Sequence, residues 1–349
     1  MKMLIFDTNY HLHAYIYKEA MENIEYKIQV HESQDKTRTL QEAVNYAINN
    51  SFSCLYLITL DGNINFKLIK NLIRLNLYGK NIILVTNLFA YHKINRISFR
   101  AITFLSLLKI SKGMVVCTSD PYLKERYYYR ALRGKIQYCP DFILDRERIA
   151  PEELQETNLP FELPSKKPII GIYGRLDDKK YISELTKSIK RYINEGNDLK
   201  QIFIFAGPVG NLEKNTSKDL VNLSKTGSII YHPYLLENSS LIKLISISYV
   251  VWVVQKDFSG SSGIFTRACA YGIPPIVSKS STLGRITTKK NLGYCLDKNN
   301  FYQSFKKIIN LMDRSITHIT MKSNALAYSK ENTEEAFLKT ITNTINKLQ

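Results

Sequence analysis

Two cations and a glycine/serine loop carry the clearest chemistry in this sequence. The run Ile170-Gly-Ile-Tyr-Gly174 leads directly into Arg175-Leu-Asp-Asp-Lys-Lys180. Arg175 and Lys180 therefore stand at the carboxyl end of an apolar stretch that reads as a strand. Further along, Ser259-Gly-Ser-Ser-Gly263 follows a second apolar stretch, Tyr249–Val254, and feeds a short helix that ends at Gly272. Small residues ahead of a helix let an anion approach the unbonded amides of its first turn, where the dipole favours negative charge. Two fixed cations facing such a helix would clamp a diphosphate and offset the charge it develops as a leaving group. Two plainer readings stand beside this one: a Gly/Ser connector, and a solvated turn capped by an Asp. The co-occurrence of both features favours the clamp. No His, Asp or Glu spacing resembles a metal site.

These residues need a scaffold, and the chain alternates strand and helix patterns throughout. Strands are expected at Met3–Phe6, Tyr26–Val30, Cys54–Thr59, Ile82–Thr86, Met114–Cys117 and Lys135–Cys139. Helical periodicity lies between them at Leu12–Asn23, Leu40–Asn49, Phe66–Leu77, Ile97–Ile110 and Pro121–Ala131. The rhythm restarts with strands at Ile169–Tyr173, Gln201–Ala206, Ser228–His232, Tyr249–Val254 and Pro275–Ser278. Helices are expected at Ile182–Asn194, Phe301–Met312 and Thr333–Leu348. Alternation of this kind implies parallel, doubly wound sheets. The polar, proline-bearing stretch Asp145–Lys167 reads as an interdomain linker. Two Rossmann-like domains are thus expected, 1–150 and 165–330, with the terminal helix at about 330–349 packing back on the first. A ligand cleft between two such domains is the usual arrangement.

A length of 349 residues fits two domains, and apolar content of 44% fits a folded globular chain. No apolar run is long enough for a membrane span, and Asp7 comes too early for a secretory signal. The five cysteines (Cys54, Cys117, Cys139, Cys269, Cys295) are scattered, as in reduced core thiols of a cytoplasmic protein. The net charge of +17 is unevenly placed. Between Gly62 and Ser119 there are nine Lys/Arg and no Asp or Glu. Within that stretch Lys93–Lys112 interleaves bases with Ile94, Ile97, Phe99, Phe104 and Leu108, a basic amphipathic pattern suited to an anionic membrane surface. An ordinary core helix with a basic solvated face fits the same residues. No zinc-finger, RNP, KH or basic-zipper pattern supports a nucleic-acid partner.

The order Gly174-Arg-Leu-Asp-x-x-Lys180, Phe205-Ala-Gly-Pro208, Gly260-Ser-Ser-Gly263, then Arg267-Ala-x-Ala-x-Gly272-x-Pro274 resembles the donor domain of GT-B glycosyltransferases, in particular the large retaining group 4. The resemblance runs from about Ile169 to Asp297, and over the first domain it extends only to the βα rhythm. It implies two Rossmann-like domains facing across a cleft, the second binding a nucleotide-sugar and the first a glycan, polyprenyl- or other lipid-linked acceptor. Carried onto this chain, Arg175 and Lys180 would bind the donor diphosphate, beside Gly174. The amides around Ser262, Gly263 and Ile264 would receive its distal phosphate, with Ser259, Gly260, Ser261 and Arg267 also in the donor site. The family usually needs no metal or other cofactor for this. His11, after the first strand, and His92, after Ile82–Thr86, occupy places from which the family approaches the transferred sugar or acceptor; a capping or merely exposed histidine fits each equally. Asp120 is expected to cap a helix, Tyr127–Tyr129 to pack, and His232 with Pro233 to lie near the nucleotide base.

The departures are as informative. The family commonly has glutamates where this chain has Ser259, Arg267 and Arg285. Ser259 can still bond a hydroxyl, and Arg267 can contact phosphate or ribose. The resemblance therefore implies a glycosyltransferase with a variant donor site, acting at the cytoplasmic face of a membrane in surface polysaccharide or lipopolysaccharide assembly. The rival reading is a non-catalytic GT-B-like protein that binds glycans or partners. A sugar-nucleotide epimerase of the same fold is a third.

Overall fold

Short β-branched and aromatic runs supply the strands, and every strand pairing among the described residues is parallel. The computed structural model describes residues 2–6, 18, 21, 27–30, 40–57, 82–86, 106, 108–111, 113–125, 132, 134–144, 147–163, 167–256, 262–312 and 315–348. The chain divides into one unit of Met1–Leu144 with Asn332–Gln349, and a second of Asp145–Glu331.

The first unit contains β1 (Lys2–Phe6), β2 (Lys27–Val30), α1 (Leu40–Asn49), β3 (Cys54–Leu57), β4 (Ile82–Thr86), β5 (Met114–Thr118) and β6 (Ile136–Tyr138). Its strands form one parallel sheet in the order β2-β1-β3-β4-β5-β6. The second unit runs α2 (Pro151–Glu156), β7 (Ile169–Tyr173), α3 (Ile182–Asn194), β8 (Ile202–Ala206), α4 (Thr216–Lys225), β9 (Ile229–His232), α5 (Asn238–Ile247) and β10 (Val250–Val253). It continues through α6 (Gly263–Ala270), β11 (Pro275–Ser278), α7 (Thr282–Lys290), β12 (Tyr294–Leu296), α8 (Phe301–Leu311) and α9 (Ser315–Glu331). Its parallel sheet has the order β12-β11-β10-β7-β8-β9. The chain thus builds outward from β7 to β9, then returns to lay β10 on the other side of β7. The crevice at such a reversal, outside the carboxyl ends of the strands, is where open α/β sheets bind ligands.

The last helix, α10 (Glu334–Asn346), belongs to the first unit. Thr333 caps it by accepting from the Ala336 amide at 3.1 Å. Its residues Phe337, Ile341 and Ile345 recur at helical spacing and bury against Met3, Ile5 and Tyr56. The Phe142 and Phe337 rings lie 4.7 Å apart. In the second unit α3 turns Ile182, Leu185, Ile189 and Tyr192 onto a core that includes Phe203, Phe205 and Phe305.

Several elements were not apparent from the sequence. Helices α4, α5 and α7 and strand β12 lie in stretches with no expected element. The alternation of Ser and Thr with short apolar clusters in Thr282–Lys290 and Asn238–Ile247 hides their periodicity. Helix α9 mixes exposed Ile316 and Ile319 with buried Met321 and Ala325, so its apolar residues do not form one stripe. Asp145–Lys167, read as a linker, groups with the second unit and carries α2. Of the helix expected over Pro121–Ala131, the described part is a 3-10 turn at Leu123–Glu125, preceded by Asp120 accepting from the Tyr122 amide at 3.0 Å. The expected helices at Leu12–Asn23 and Phe66–Leu77, and Tyr127–Tyr129, lie wholly or mostly outside the described residues. All five cysteines are free thiols and four are buried. Among the described residues no helix is long and apolar enough to cross a membrane.

Truncating the anchor of the terminal helix tests its place in the first core. Phe337→Ala is expected to cost about 3–5 kcal/mol, the range for a buried aromatic, read as a lowered urea midpoint. A shift below about 1 kcal/mol would contradict that packing.

Candidate active site

At the carboxyl end of β7 the backbone turns through Gly174, whose φ of +75° lies in the region that favours glycine. The turn is held against the end of β8. Gly174 N–H donates to Ala206 O at 3.1 Å, Leu176 N–H to Pro208 O at 2.9 Å, and Gly210 N–H to Leu176 O at 2.7 Å. A Cβ on Gly207 would lie 2.3 Å from Gly174 O, and one on Gly210 would lie 2.7 Å from Arg175 Nε. The Ala-Gly-Pro segment after β8 is therefore what lets the Arg175 turn sit close beside it.

Asp177 caps the 3-10 turn Asp178–Lys180, its side chain accepting from Lys179 N–H at 3.1 Å. Asp178 pins the start of α3, accepting from Ser183 N–H at 3.0 Å and from Glu213 N–H at 2.7 Å. On this frame Arg175 is exposed, its Nε 3.6 Å from Asp177 Oδ2, and this loose pair leaves most of the guanidinium in solvent. Lys180 is drawn inward: Nζ donates to Tyr173 O at 2.7 Å. Burial pushes the Lys180 pKa down to about 8, against a smaller upward pull from Asp177. A partly buried ammonium with one carbonyl partner is suited to an anion, whose charge would offset the desolvation.

On the other side of the reversal, β10 leads towards α6. Ser262 is the N-cap of α6, its side chain accepting from Phe265 N–H at 3.5 Å. The amides of Gly263 and Ile264 open the first turn, where the helix offers them no carbonyl. Behind them, Phe265 meets Tyr328 of α9 edge-on with centroids 5.9 Å apart. Arg267 folds back along α6. Its Nη1 donates to Gly263 O at 3.4 Å and its Nη2 to Glu147 Oε2 at 2.8 Å. Arg267 Nε is buried and has no hydrogen-bond partner among the described residues. One turn further, the Tyr271 hydroxyl accepts from Ile149 N–H at 3.0 Å.

The structure thus brings Gly174, Arg175 and Lys180 together on one turn, and Ser262, Gly263, Ile264 and Arg267 on one helix start, at the ends of adjacent parallel strands. Ser259, Gly260 and Ser261, and both His11 and His92, lie outside the described residues. His232 ends β9, its ring 5.3 Å from that of Tyr234, which is exposed. Among the described residues no group of three or more His, Cys, Asp or Glu could hold a metal ion. Sequence reasoning missed Glu147, which lay in a stretch read as linker. It also missed the support under Lys180, where Trp252 Nε1–H donates to the Lys180 carbonyl at 3.0 Å.

Residues 155–328 match the family described as Glycosyl transferases group 1. This stretch, just under half of the chain, is similar to that family's domain. The whole chain is also similar to solved structures. HepE of Anabaena, solved with UDP, is 12% identical with a TM-score of 0.68, over 99% of this chain and 100% of that one. Sucrose-phosphate synthase of Thermosynechococcus elongatus is 12% identical with a TM-score of 0.69, over 100% and 99% of the two chains. A glycosyltransferase of Rickettsia africae is 12% identical with a TM-score of 0.64, over 99% of this chain and 89% of that one. At such identities the likeness is one of fold, and the fold is GT-B. No curated protein sequence matches the chain.

The lowered pKa of Lys180 gives its expected anion contact a pH dependence. Only its protonated form attracts an anion, so that contribution is full well below pH 8 and is lost as pH rises through about 8. A bound anion raises the pKa and moves the loss upward. Affinity for a nucleoside diphosphate, measured by calorimetry from about pH 7 to about pH 10, should therefore fall, and Lys180→Arg should flatten the fall because guanidinium stays charged. An equal slope in both proteins would contradict this role.

Proposed function

We propose that the protein transfers a sugar from a nucleotide diphosphate sugar to a hydroxyl of a glycan or lipid-linked glycan. The observation that carries this reading is that the Arg175–Lys180 turn follows β7 and that α6 follows β10, the strand paired with β7 at the reversal. Cations and helix amides arranged this way neutralise a diphosphate in the ground state and the departing nucleoside diphosphate still more. The similarity to the group 1 domain supports the reaction class. Similar structures include HepE with UDP and glucose and with UDP-glucose, which supports a nucleotide-sugar donor.

In this mechanism Arg175 and Lys180 hold the diphosphate oxygens, and Gly263 and Ile264 direct their amides at the distal phosphate. The bond from the anomeric carbon to that phosphate breaks, and the nucleoside diphosphate leaves with the electron pair. The acceptor hydroxyl attacks from the same face, so configuration is retained, and its proton passes to the leaving oxygen. His11 and His92 are assigned to the sugar and acceptor side. Neither a metal nor another cofactor is required, because fixed cations and the helix dipole supply the positive charge. We place the enzyme at the cytoplasmic face of a membrane, in cell-surface polysaccharide assembly, with Lys93–Lys112 against anionic lipid. Within that segment Ile110 is exposed beside exposed Lys109, and Leu108 is buried.

One observation favours the non-catalytic rival: Arg267 stands where the family commonly has a glutamate, and Glu147 already engages it. Turnover decides between them. With a panel of nucleotide-sugars, the protein should release nucleoside diphosphate. Arg175→Ala and Lys180→Ala should each lower kcat/KM by about 100-fold or more, as for loss of one oxyanion donor. Unchanged kinetics in both would remove the clamp, and failure to bind any nucleotide-sugar would favour the rival. Conversion of the donor to an epimer without acceptor would indicate the epimerase. Binding to anionic vesicles should weaken with salt and with Arg96→Gln/Arg100→Gln; binding that persists would refute that surface.

A further inference from the structure

The turn that carries Lys180 is braced by residues that touch no proposed ligand. Lys256, three residues past the end of β10 at Val253, makes three contacts with the turn and the start of α3. Its backbone N–H donates to Lys179 O at 2.6 Å. Its ammonium lies 3.2 Å from Glu184 Oε1, in the first turn of α3. The same ammonium stands 5.0 Å from the Tyr181 ring centroid. Tyr181 links the 3-10 turn to α3 in a left-handed conformation, φ 57° and ψ 34°, which costs energy in a non-glycine residue. Trp252 adds the indole bond to Lys180 O, and its ring packs 6.1 Å from that of Phe301.

Lys256 is also where the chain leaves β10 for the Gly/Ser loop and α6. A single residue therefore touches both flanks of the Lys180 turn, Lys179 and Tyr181, and opens the segment that leads to the helix start. We propose that Lys256, held by Glu184, is a positioning residue that fixes the spacing between the two halves of the anion clamp. This rests on the reading of the site as a nucleotide diphosphate pocket. The Lys256 ammonium is directed to Glu184 and Tyr181, so its effect on a ligand is exerted through the turn. Glu184 Oε2 is buried without a hydrogen-bond partner among the described residues; Lys256 is the cation in ion-pair contact with the carboxylate, and Lys187 one turn along α3 adds a weaker attraction.

The test uses the full chain and whichever of UDP, GDP, ADP and dTDP binds it most tightly. Trp252, the one tryptophan of the chain, reports the turn by its fluorescence, and calorimetry gives the affinity. Lys256→Met and Glu184→Gln should each weaken binding about tenfold, with the double variant no weaker than either single one, as for residues acting as a unit. Lys256→Arg should restore most of the affinity. Thermal midpoints should stay near that of the parent, so that lost binding is not lost folding. If Lys256 met the phosphates directly, Glu184→Gln would leave binding unchanged or tighten it, and the proposal would fall. Parent-like affinity in both single variants, alongside loss in Lys180→Ala, would overturn the brace and leave the pocket standing. No binding of any of the four nucleotides to the parent would overturn the pocket itself. Should Lys256→Met fail to fold, Glu184→Gln alone still decides between these outcomes.

Discussion

The second unit depends on one constraint: two turns of backbone must share the space at the carboxyl end of β7. Gly174 leaves the strand with φ +75°, and Gly207 lies so close that a single Cβ would meet the Gly174 carbonyl at 2.3 Å. With both glycines in place, the turn bearing Arg175 and Lys180 lies flat along the end of β8 instead of lifting into solvent. The return of the chain lays β10 on the opposite flank of β7, and α6 is the next helix in the chain. On the function proposed above, this topology offers a donor diphosphate positive charge from residues distant in sequence.

The electrostatics follow from how deeply each cation is held. Arg175 remains exposed and loosely paired, so its charge is available at little desolvation cost. Lys180 gives up part of its hydration for one carbonyl bond, and its lowered pKa records the cost. Arg267 is already neutralised by Glu147, and the pair ties the segment entering the second unit to the helix that starts at Gly263. Substituting Arg for the glutamate common in the family therefore does not simply add a positive charge to the site. It exchanges one carboxylate on α6 for another presented from residue 147.

Much of this was legible in the sequence where local chemistry is decisive. The strand Ile169–Tyr173, the helix Ile182–Asn194 and the strand Pro275–Ser278 begin and end where apolar periodicity places them. The pairing of a Gly-Arg…Lys turn with a Gly/Ser loop was visible because each sits directly after a strand. What escaped was long-range. Nothing in the run Val-Trp-Val-Val-Gln-Lys256 announces that Trp252 and Lys256 will bond Lys180 and Lys179 across the β7/β10 gap. Likewise Glu147 is one of several carboxylates in a polar stretch, and only the fold selects it as the partner of Arg267. Helices rich in Ser and Thr, such as Thr282–Lys290, escaped because capping and neighbours hold them more than any apolar stripe does; Ser281 caps that one, accepting from Gly284 N–H at 2.9 Å.

The central claim is that two halves of one site hold two phosphates. The most direct measurement compares the same nucleoside as its monophosphate and its diphosphate, binding to the unmodified protein under identical salt and pH. A clamp built from Arg175, Lys180 and the α6 start predicts that the diphosphate binds at least about tenfold more tightly, since charge-assisted bonds to the second phosphate are worth about 1.5 kcal/mol or more. Equal affinity for the two nucleotides would contradict it.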